Sequence, residues 1–374
     1  MMSHEQINYF PFKPSELGST GVEMEWITVD SKSGVQTPLA PKLLSSIPAS
    51  PRIKQELFTS TIEINTDIHH QTDACMDELS TLRSQVLDHL TPMGGALLSS
   101  GTHPFSRWRD QNISDDARYH KLLERLQWMA HRFNIFGIHV HIGMPDGDSC
   151  IRTMNQLLPV MPVFLAISAN SPFWQGDDTG LCSSRLKIFE GLSQGGMPFY
   201  FKDWQDFEHC AGRLMATGSI DSVRDIWWEM RPHPDFGTLE IRIGDMPATK
   251  ADTAAYVAYV RSEVIAATNS DLPETKVHPS LIRENRWRAC RHGVKADIID
   301  PITEDPVPLL LWLDKRMAWL ANHGADPDDL DTVEKQLQKW QQHGDGASRQ
   351  RRIFRQTNDL KSVVHRMHQE DGWS

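Results

Sequence analysis

Hydrophobic and polar positions alternate with period two in several short stretches of this chain and recur at helical spacing in longer ones. The alternating runs predict strands over 21–29, 58–65, 96–100, 135–142, 226–230 and 238–243. The helical runs, several opening on Asp or Ser, predict helices over 73–90, 115–132, 203–215, 250–268, 309–322, 330–342 and 348–368. Strands and helices follow no strict βαβ rhythm, which predicts an α+β fold with a mainly antiparallel sheet flanked by helices. No repeat or low-complexity tract interrupts the pattern, and the turn-rich stretches 301–308 and 326–331 sit near the end. One domain spanning 1–374, with a helical C-terminal part at about 304–374, is the simplest division.

Four of the predicted strands share an uncommon face. In Val22-Glu23-Met24-Glu25-Trp26 the alternation puts both carboxylates on one side and the apolar residues on the other. Thr61-Ile62-Glu63-Ile64-Asn65 presents Glu63 in the same way. Ile138-His139-Val140-His141-Ile142 presents two imidazoles, and Leu239-Glu240-Ile241-Arg242-Ile243 presents a carboxylate and a guanidinium. A strand with its polar side in water accounts for any one of these. Together they carry Glu, His and Arg almost exclusively, where a solvated face carries Lys, Ser and Thr, and this points to a site. Clustered carboxylates repel unless cations neutralise them, and oxygen-rich ligands suit magnesium, with manganese able to substitute. Divalent ions beside an arginine suit phosphoryl chemistry. No P-loop is present, so ATP, if used, is held by metals and basic side chains on the sheet.

Composition narrows the alternatives. With 374 residues and 39% hydrophobic content the chain can bury a large core. Its net charge of −11 argues against a general binder of nucleic acid or anionic membrane. Cys75, Cys150, Cys182, Cys210 and Cys290 form no CxxC pair, so neither a disulfide framework nor a zinc ribbon is indicated and a reducing cytoplasm fits best. Residues 1–18 lack the basic and apolar regions of a secretory leader. The longest apolar run, 157–168, carries two prolines and falls short of the ~18 residues that span a bilayer.

The segment Gly21-Val22-Glu23-Met24-Glu25-Trp26 resembles the opening metal-binding strand of glutamine synthetases and glutamate–cysteine ligases. Glu56 followed by Glu63 resembles their second carboxylate pair, residues 137–143 their His-x-His strand and residues 239–243 their Glu-x-Arg strand. Further segments are Gly101-Thr102-His103-Pro104-Phe105, Asn170-Ser171-Pro172-Phe173-Trp174, Trp227-Trp228-Glu229-Met230-Arg231-Pro232 and Glu284-Asn285-Arg286-Trp287-Arg288-Ala289. As an ordered set they resemble the type 2 glutamate–cysteine ligase family, the YbdK-like carboxylate–amine ligases of the glutamine synthetase superfamily, over nearly the whole chain.

That resemblance implies a glutamine synthetase/guanido kinase-like catalytic domain. It implies that Glu23, Glu25, Glu56, Glu63, His139 and Glu240 ligate the metals and that His141 faces the phosphates. Arg242 would neutralise the transferred phosphoryl group, and Arg231 would position phosphate or the acidic substrate or else form a structural ion pair. Among 285–291, Arg288 is a further candidate for contact with the nucleotide. His103 reads equally as a catalytic histidine or as a satisfied loop or core one, and the loop 170–185, with Arg185, as a lid or substrate loop or an ordinary surface one. The implied reaction activates a carboxylate as an acyl phosphate at the expense of ATP and joins it to an amine. The family name suggests glutamate and cysteine, and the family alone suggests a homodimer. A guanidino phosphotransferase and a non-catalytic nucleotide or metal sensor stay open as alternatives.

Overall fold

In the computed structural model the described residues are 10–270 and 276–373. Seven strands form one sheet: β1 (Thr20–Asp30), β2 (Ile53–Gln55), β3 (Thr61–Asn65), β4 (Gly95–Leu98), β5 (Ile138–Gly143), β6 (Met230–His233) and β7 (Thr238–Ile241). Their order is β6-β7-β5-β1-β3-β2, with β4 pairing the second half of β1, and every pairing is antiparallel. The expected α+β fold with an antiparallel sheet is therefore what forms. β1 is the hub because its eleven residues are long enough to pair β5 along Thr20–Met24, β3 along Glu23–Ile27 and β4 along Ile27–Asp30.

The principal helices are α1 (Thr72–Leu90), α2 (Ala117–Leu126), α3 (Gly147–Leu157), α4 (Met161–Ser168), α5 (Lys250–Asn269), α6 (Pro279–His292), α7 (Leu309–Asn322), α8 (Pro327–His343), α9 (Gly346–Thr357) and α10 (Leu360–Gln369). The apolar side of the sheet, Val22, Met24, Trp26, Ile138, Val140, Leu239 and Ile241, packs with α4 and α5 in one core. Side chains of α7 to α10, among them Leu313, Trp340, Ile353 and Val364, belong to that same core. Trp26 shows how the chain's end is tied in. Its ring is fully buried, its Nε1 donates to Ser99 Oγ at 3.0 Å, and it meets the edge of Trp373 at 5.7 Å. Truncating such a ring to alanine costs about 3–5 kcal/mol.

The differences from the sequence pattern have local causes. The helix expected over 115–132 breaks at Gln127 (φ 50°), and the one over 348–368 breaks at Asn358 (φ 50°). Such left-handed residues interrupt the hydrogen-bond ladder where periodicity alone runs on. The strand expected over 58–65 begins only at Thr61, with the short β2 preceding it. The run 226–230 splits into a two-residue strand at Trp227–Trp228 and β6, which extends to His233. The apolar run near 160 is the buried helix α4, whose Pro162 lies in the first turn, where the missing N–H costs nothing. No single helix among the described residues is long and apolar enough to cross a membrane, and α3 with α4, bent by 68°, lies in the core. The leader-free reading of the N-terminus concerns in part residues 1–9, which lie outside the described residues.

Candidate active site

Strand register assembles the polar face. Glu23 lies opposite His139 and Glu25 opposite Glu63, while Glu240 lies between His141 on β5 and Arg231 on β6. Because side chains alternate along a strand, all of these project from one side of the sheet. Glu56 joins them from the residue just after β2, and Arg242 from the residue just after β7.

Glu25, Glu56 and Glu63 form one group, with a carboxylate oxygen from each within 4.8 Å of the others. Glu25 accepts from the Gly137 N–H at 2.6 Å, and Glu63 from Asn65 Nδ2 at 2.8 Å. Lys54 stands 3.8 Å from Glu63. Burial, then the charges of Glu63 and Glu25, push the Glu56 carboxyl well above its ordinary range. Burial likewise raises Glu25, with His139 and Arg185 opposing and Glu63 adding to it. Three clustered carboxylates, two of them drawn toward the protonated form by burial, are a donor set that fits a hard divalent cation.

Glu23, His141 and Glu240 form a second group within 4.8 Å. His141 Nδ1 is fixed by Thr238 Oγ1 at 3.0 Å, and its buried Nε2 has no hydrogen-bond partner among the described residues while lying 3.7 Å from Glu23 and 3.9 Å from Glu240. A ring nitrogen oriented by its other nitrogen and left open toward two carboxylates fits a metal ligand. His139 Nδ1 is engaged by Glu23 at 3.0 Å, so in this geometry His141, not His139, completes the compact group. Glu240 is 1% exposed, and two guanidiniums hold it: Arg231 Nε at 2.7 Å and Arg242 Nη1 at 3.0 Å. Burial alone would raise its carboxyl, but Arg231, Arg242 and the two histidines draw it well below its ordinary range. Burial also raises Glu23, and the His139 hydrogen bond with the charges of His141 and His139 overcomes it, to about 2.

Both groups open into one cavity of about 900 Å³. Its walls add residues that were not among the candidate site residues, although Trp227 and Phe236 belong to the family-like segments. Lys54, Arg118, Lys121 and Arg125 supply positive charge, and Tyr119, Trp227, His233 and Phe236 supply rings. Arg118, Lys121 and Arg125 recur at helical spacing on α2, a basic stripe that is readable only once the helix is known to border the cavity.

Other candidates fall elsewhere. Arg288 is not among the residues lining this cavity; it pairs with Glu284 at 2.8 Å on α6 and reaches the Asp297 carbonyl. Its neighbour Arg286 is buried against Glu229 and Glu190. Arg231 lines the cavity and also forms the structural ion pair with Glu240, and its Nη1 donates to the Arg224 and Ile226 carbonyls. His103 is a buried loop histidine bonded to the Gly34 carbonyl and the Ser106 N–H, and burial drops it to about 4. The segment 170–185 is anchored, with Asn170 fully buried against Ser99 and Met246 carbonyls and Asp178 paired to Arg351. Arg185 leaves that segment to line the cavity, with its Nη1 on the Ile243 carbonyl.

The chain matches the family model described as glutamate-cysteine ligase family 2 (GCS2) over residues 19–370. It is 41% identical over 366 residues to a protein of Gloeobacter violaceus named "Putative glutamate--cysteine ligase 2", covering 95% of this chain and 97% of that one. A Thermobifida fusca protein of the same name is 37% identical over 365 residues, covering 94% and 90%. Among solved structures, the glutamate–cysteine ligase of Francisella tularensis in complex with AMP superposes with a TM-score of 0.73 at 13% identity, covering 96% of this chain and 90% of that one. A bifunctional glutathione synthetase of Pasteurella multocida gives 0.70 at 14%, covering 95% and 52%. These two likenesses concern the fold. The sequence relationships, which run from the Glu23 strand to the last helix, carry the assignment: the chain belongs to glutamate–cysteine ligase family 2.

Proposed function

We propose that this chain is an ATP- and magnesium-dependent carboxylate–amine ligase that forms an amide through an acyl phosphate. Glutamate and cysteine are the substrates that the names of its relatives point to. The observation that carries the reading is the pair of metal-competent groups on one sheet face, with Arg231 and Arg242 beside them in a single cavity. The AMP held by a protein of like fold supports the nucleotide. Within this reading the sheet and the C-terminal helices act as one catalytic domain, since they share a core.

Glu25, Glu56 and Glu63 would hold one magnesium, and Glu23, His141 and Glu240, with His139 on Glu23, a second. Such ions offset the charge of the phosphates. The chain's own groups do the rest. Arg242, with its Nε buried and without a partner among the described residues, neutralises the γ-phosphoryl group as it moves. Arg231 holds Glu240 in place. Lys54, Arg118 and Lys121 face the cavity and attract the anionic acid.

A carboxylate oxygen of the acid attacks the γ-phosphorus and ADP leaves. The amine nitrogen then attacks the acyl carbon, the C–O bond breaks, and phosphate departs with that oxygen. No thiol is needed as nucleophile. None of the cysteines lines the cavity, and burial pushes Cys75, Cys182 and Cys290 up to about 12. The test is to incubate the protein with ATP, magnesium and pairs of amino acids. ADP, phosphate and a conjugate lighter than its parts by one water support the reading. ADP with a phosphorylated guanidine, or untouched ATP across the panel, overturns it.

A further inference from the structure

At one end of the cavity a phenylalanine is held open to solvent. Phe236 is 52% exposed and sits at the tip of the hairpin joining β6 to β7. Single exposed apolar side chains are ordinary. This one differs in that the turn that carries it is held by hydrogen bonds to its own strand and to residues 13–15. Its N–H donates to the His233 carbonyl at 3.2 Å, and its own carbonyl accepts from Ser15 Oγ at 2.7 Å. The Pro234 carbonyl accepts from the Lys13 N–H at 3.0 Å. Gly237 follows at φ 66°, where a Cβ would run into the Lys13 carbonyl, so the turn is closed to other residues.

The ring itself lies flat on the His233 imidazole, with centroids 4.1 Å apart and planes 9° apart, and stands 5.7 Å from His141. His233 is 6% exposed, lines the same cavity, and its Nδ1 has no hydrogen-bond partner among the described residues. Phe236, His233 and His141 therefore form a path from the mouth of the cavity to Glu23 and Glu240. An exposed ring fixed beside a buried polar edge, next to a site for phosphates, has the features of a base-stacking platform.

We infer that Phe236, backed by His233, is the stacking platform for the purine base of the nucleotide, placing the base at the β6–β7 end of the cavity. The acid and amine then occupy the opposite end, beside Glu25, Glu56, Glu63 and Tyr119. The inference rests on the nucleotide-dependent reading above and adds to it which end is which and what holds the base.

The test compares binding of a non-hydrolysable ATP analogue and of inorganic tripolyphosphate, each with magnesium, to the full chain and to Phe236→Ala and Phe236→Trp, with thermal melts to confirm folding. Loss of one base–aromatic stack weakens the analogue about ten-fold or more in the alanine variant. Tripolyphosphate affinity stays within about two-fold, because the contact removed is to the base. Tryptophan restores the analogue. An alanine variant that binds the analogue as the parent does, or loses both ligands equally, overturns the platform while leaving the ligase reading standing. A parent protein that binds neither ligand overturns both.

Discussion

Glu25 and Glu63 stand directly opposite one another on neighbouring strands of the sheet. Like charges in that position destabilise an antiparallel pair, and Glu56 adds a third carboxylate within 4.8 Å. The arrangement trades stability of the metal-free protein for a place where a cation is attracted strongly.

Metal binding should therefore release protons and stabilise more at higher pH. Glu25 and Glu56 titrate above the ordinary carboxyl value of 4.5 in the fold. Their contribution to stability is complete below that value and is lost as pH rises through the raised one. Glu23 and Glu240 are depressed, so their contribution fades only at lower pH. Above the ordinary carboxyl value the raised pair governs. Calorimetry in buffers of different ionisation enthalpy should show proton release on adding magnesium, and the magnesium-induced rise in Tm should be larger at pH 8 than at pH 5.5. A shift independent of pH contradicts this account of the three carboxylates.

Glu63→Gln should act in opposite directions with and without metal. Removing one of the facing charges should raise the stability of the metal-free protein by up to about 1 kcal/mol. The magnesium-induced shift should shrink and turnover should fall by at least about a hundred-fold. Chemical denaturation with chelator and with magnesium measures both effects. A variant destabilised without metal would mean that Glu63 is a structural residue.

Glu240→Gln should damage the fold as well as the chemistry. The resemblance read from the sequence makes Glu240 a metal ligand. In the structure it is nearly inaccessible and balances Arg231, itself 6% exposed. Breaking a buried pair from one side costs about 3–5 kcal/mol. Thermal melts should show a loss on that scale, and the double change Glu240→Gln with Arg231→Met should recover part of it.

Arg242→Ala should separate chemistry from binding. Arg231 still holds Glu240 when Arg242 is gone, so the site keeps its shape. A group that acts on charge developing in the transition state supplies about 10²–10³ in kcat. Nucleotide affinity should change much less. A variant with normal kcat and raised KM for ATP would make Arg242 a binding residue only.

The alternation in residues 22–26, 138–142 and 239–243 made most of the site legible in advance, because the period of a strand is two and a buried apolar face enforces it. What escaped depends on features too short or too distant for a pattern. Glu56 follows a three-residue strand that carries no periodic signal of its own, so only the family resemblance, and not the alternation, names it. His233 lies beyond Pro232, which argues against continuing a strand, yet β6 runs through it. Spacing places His139 and His141 on one face, and both stand 3.9 Å from Glu240, but it does not say that His139 is taken up by Glu23 while the His141 Nε2 stays open. Arg288 belongs to a basic run in which Arg286 turns inward to Glu229 and Glu190, while Arg288 pairs with Glu284 on the outside of α6. The breaks at Gln127 and Asn358 are left-handed residues inside otherwise periodic stretches.

The central claim is that this cavity makes an acyl phosphate. The most direct measurement uses glutamate labelled with ¹⁸O in its side-chain carboxylate, together with ATP, magnesium and the amine that supports turnover, and follows the label by mass spectrometry. One ¹⁸O per released phosphate is the predicted result, because the oxygen that attacks the γ-phosphorus leaves with it. Amide formed alongside unlabelled phosphate would contradict the account.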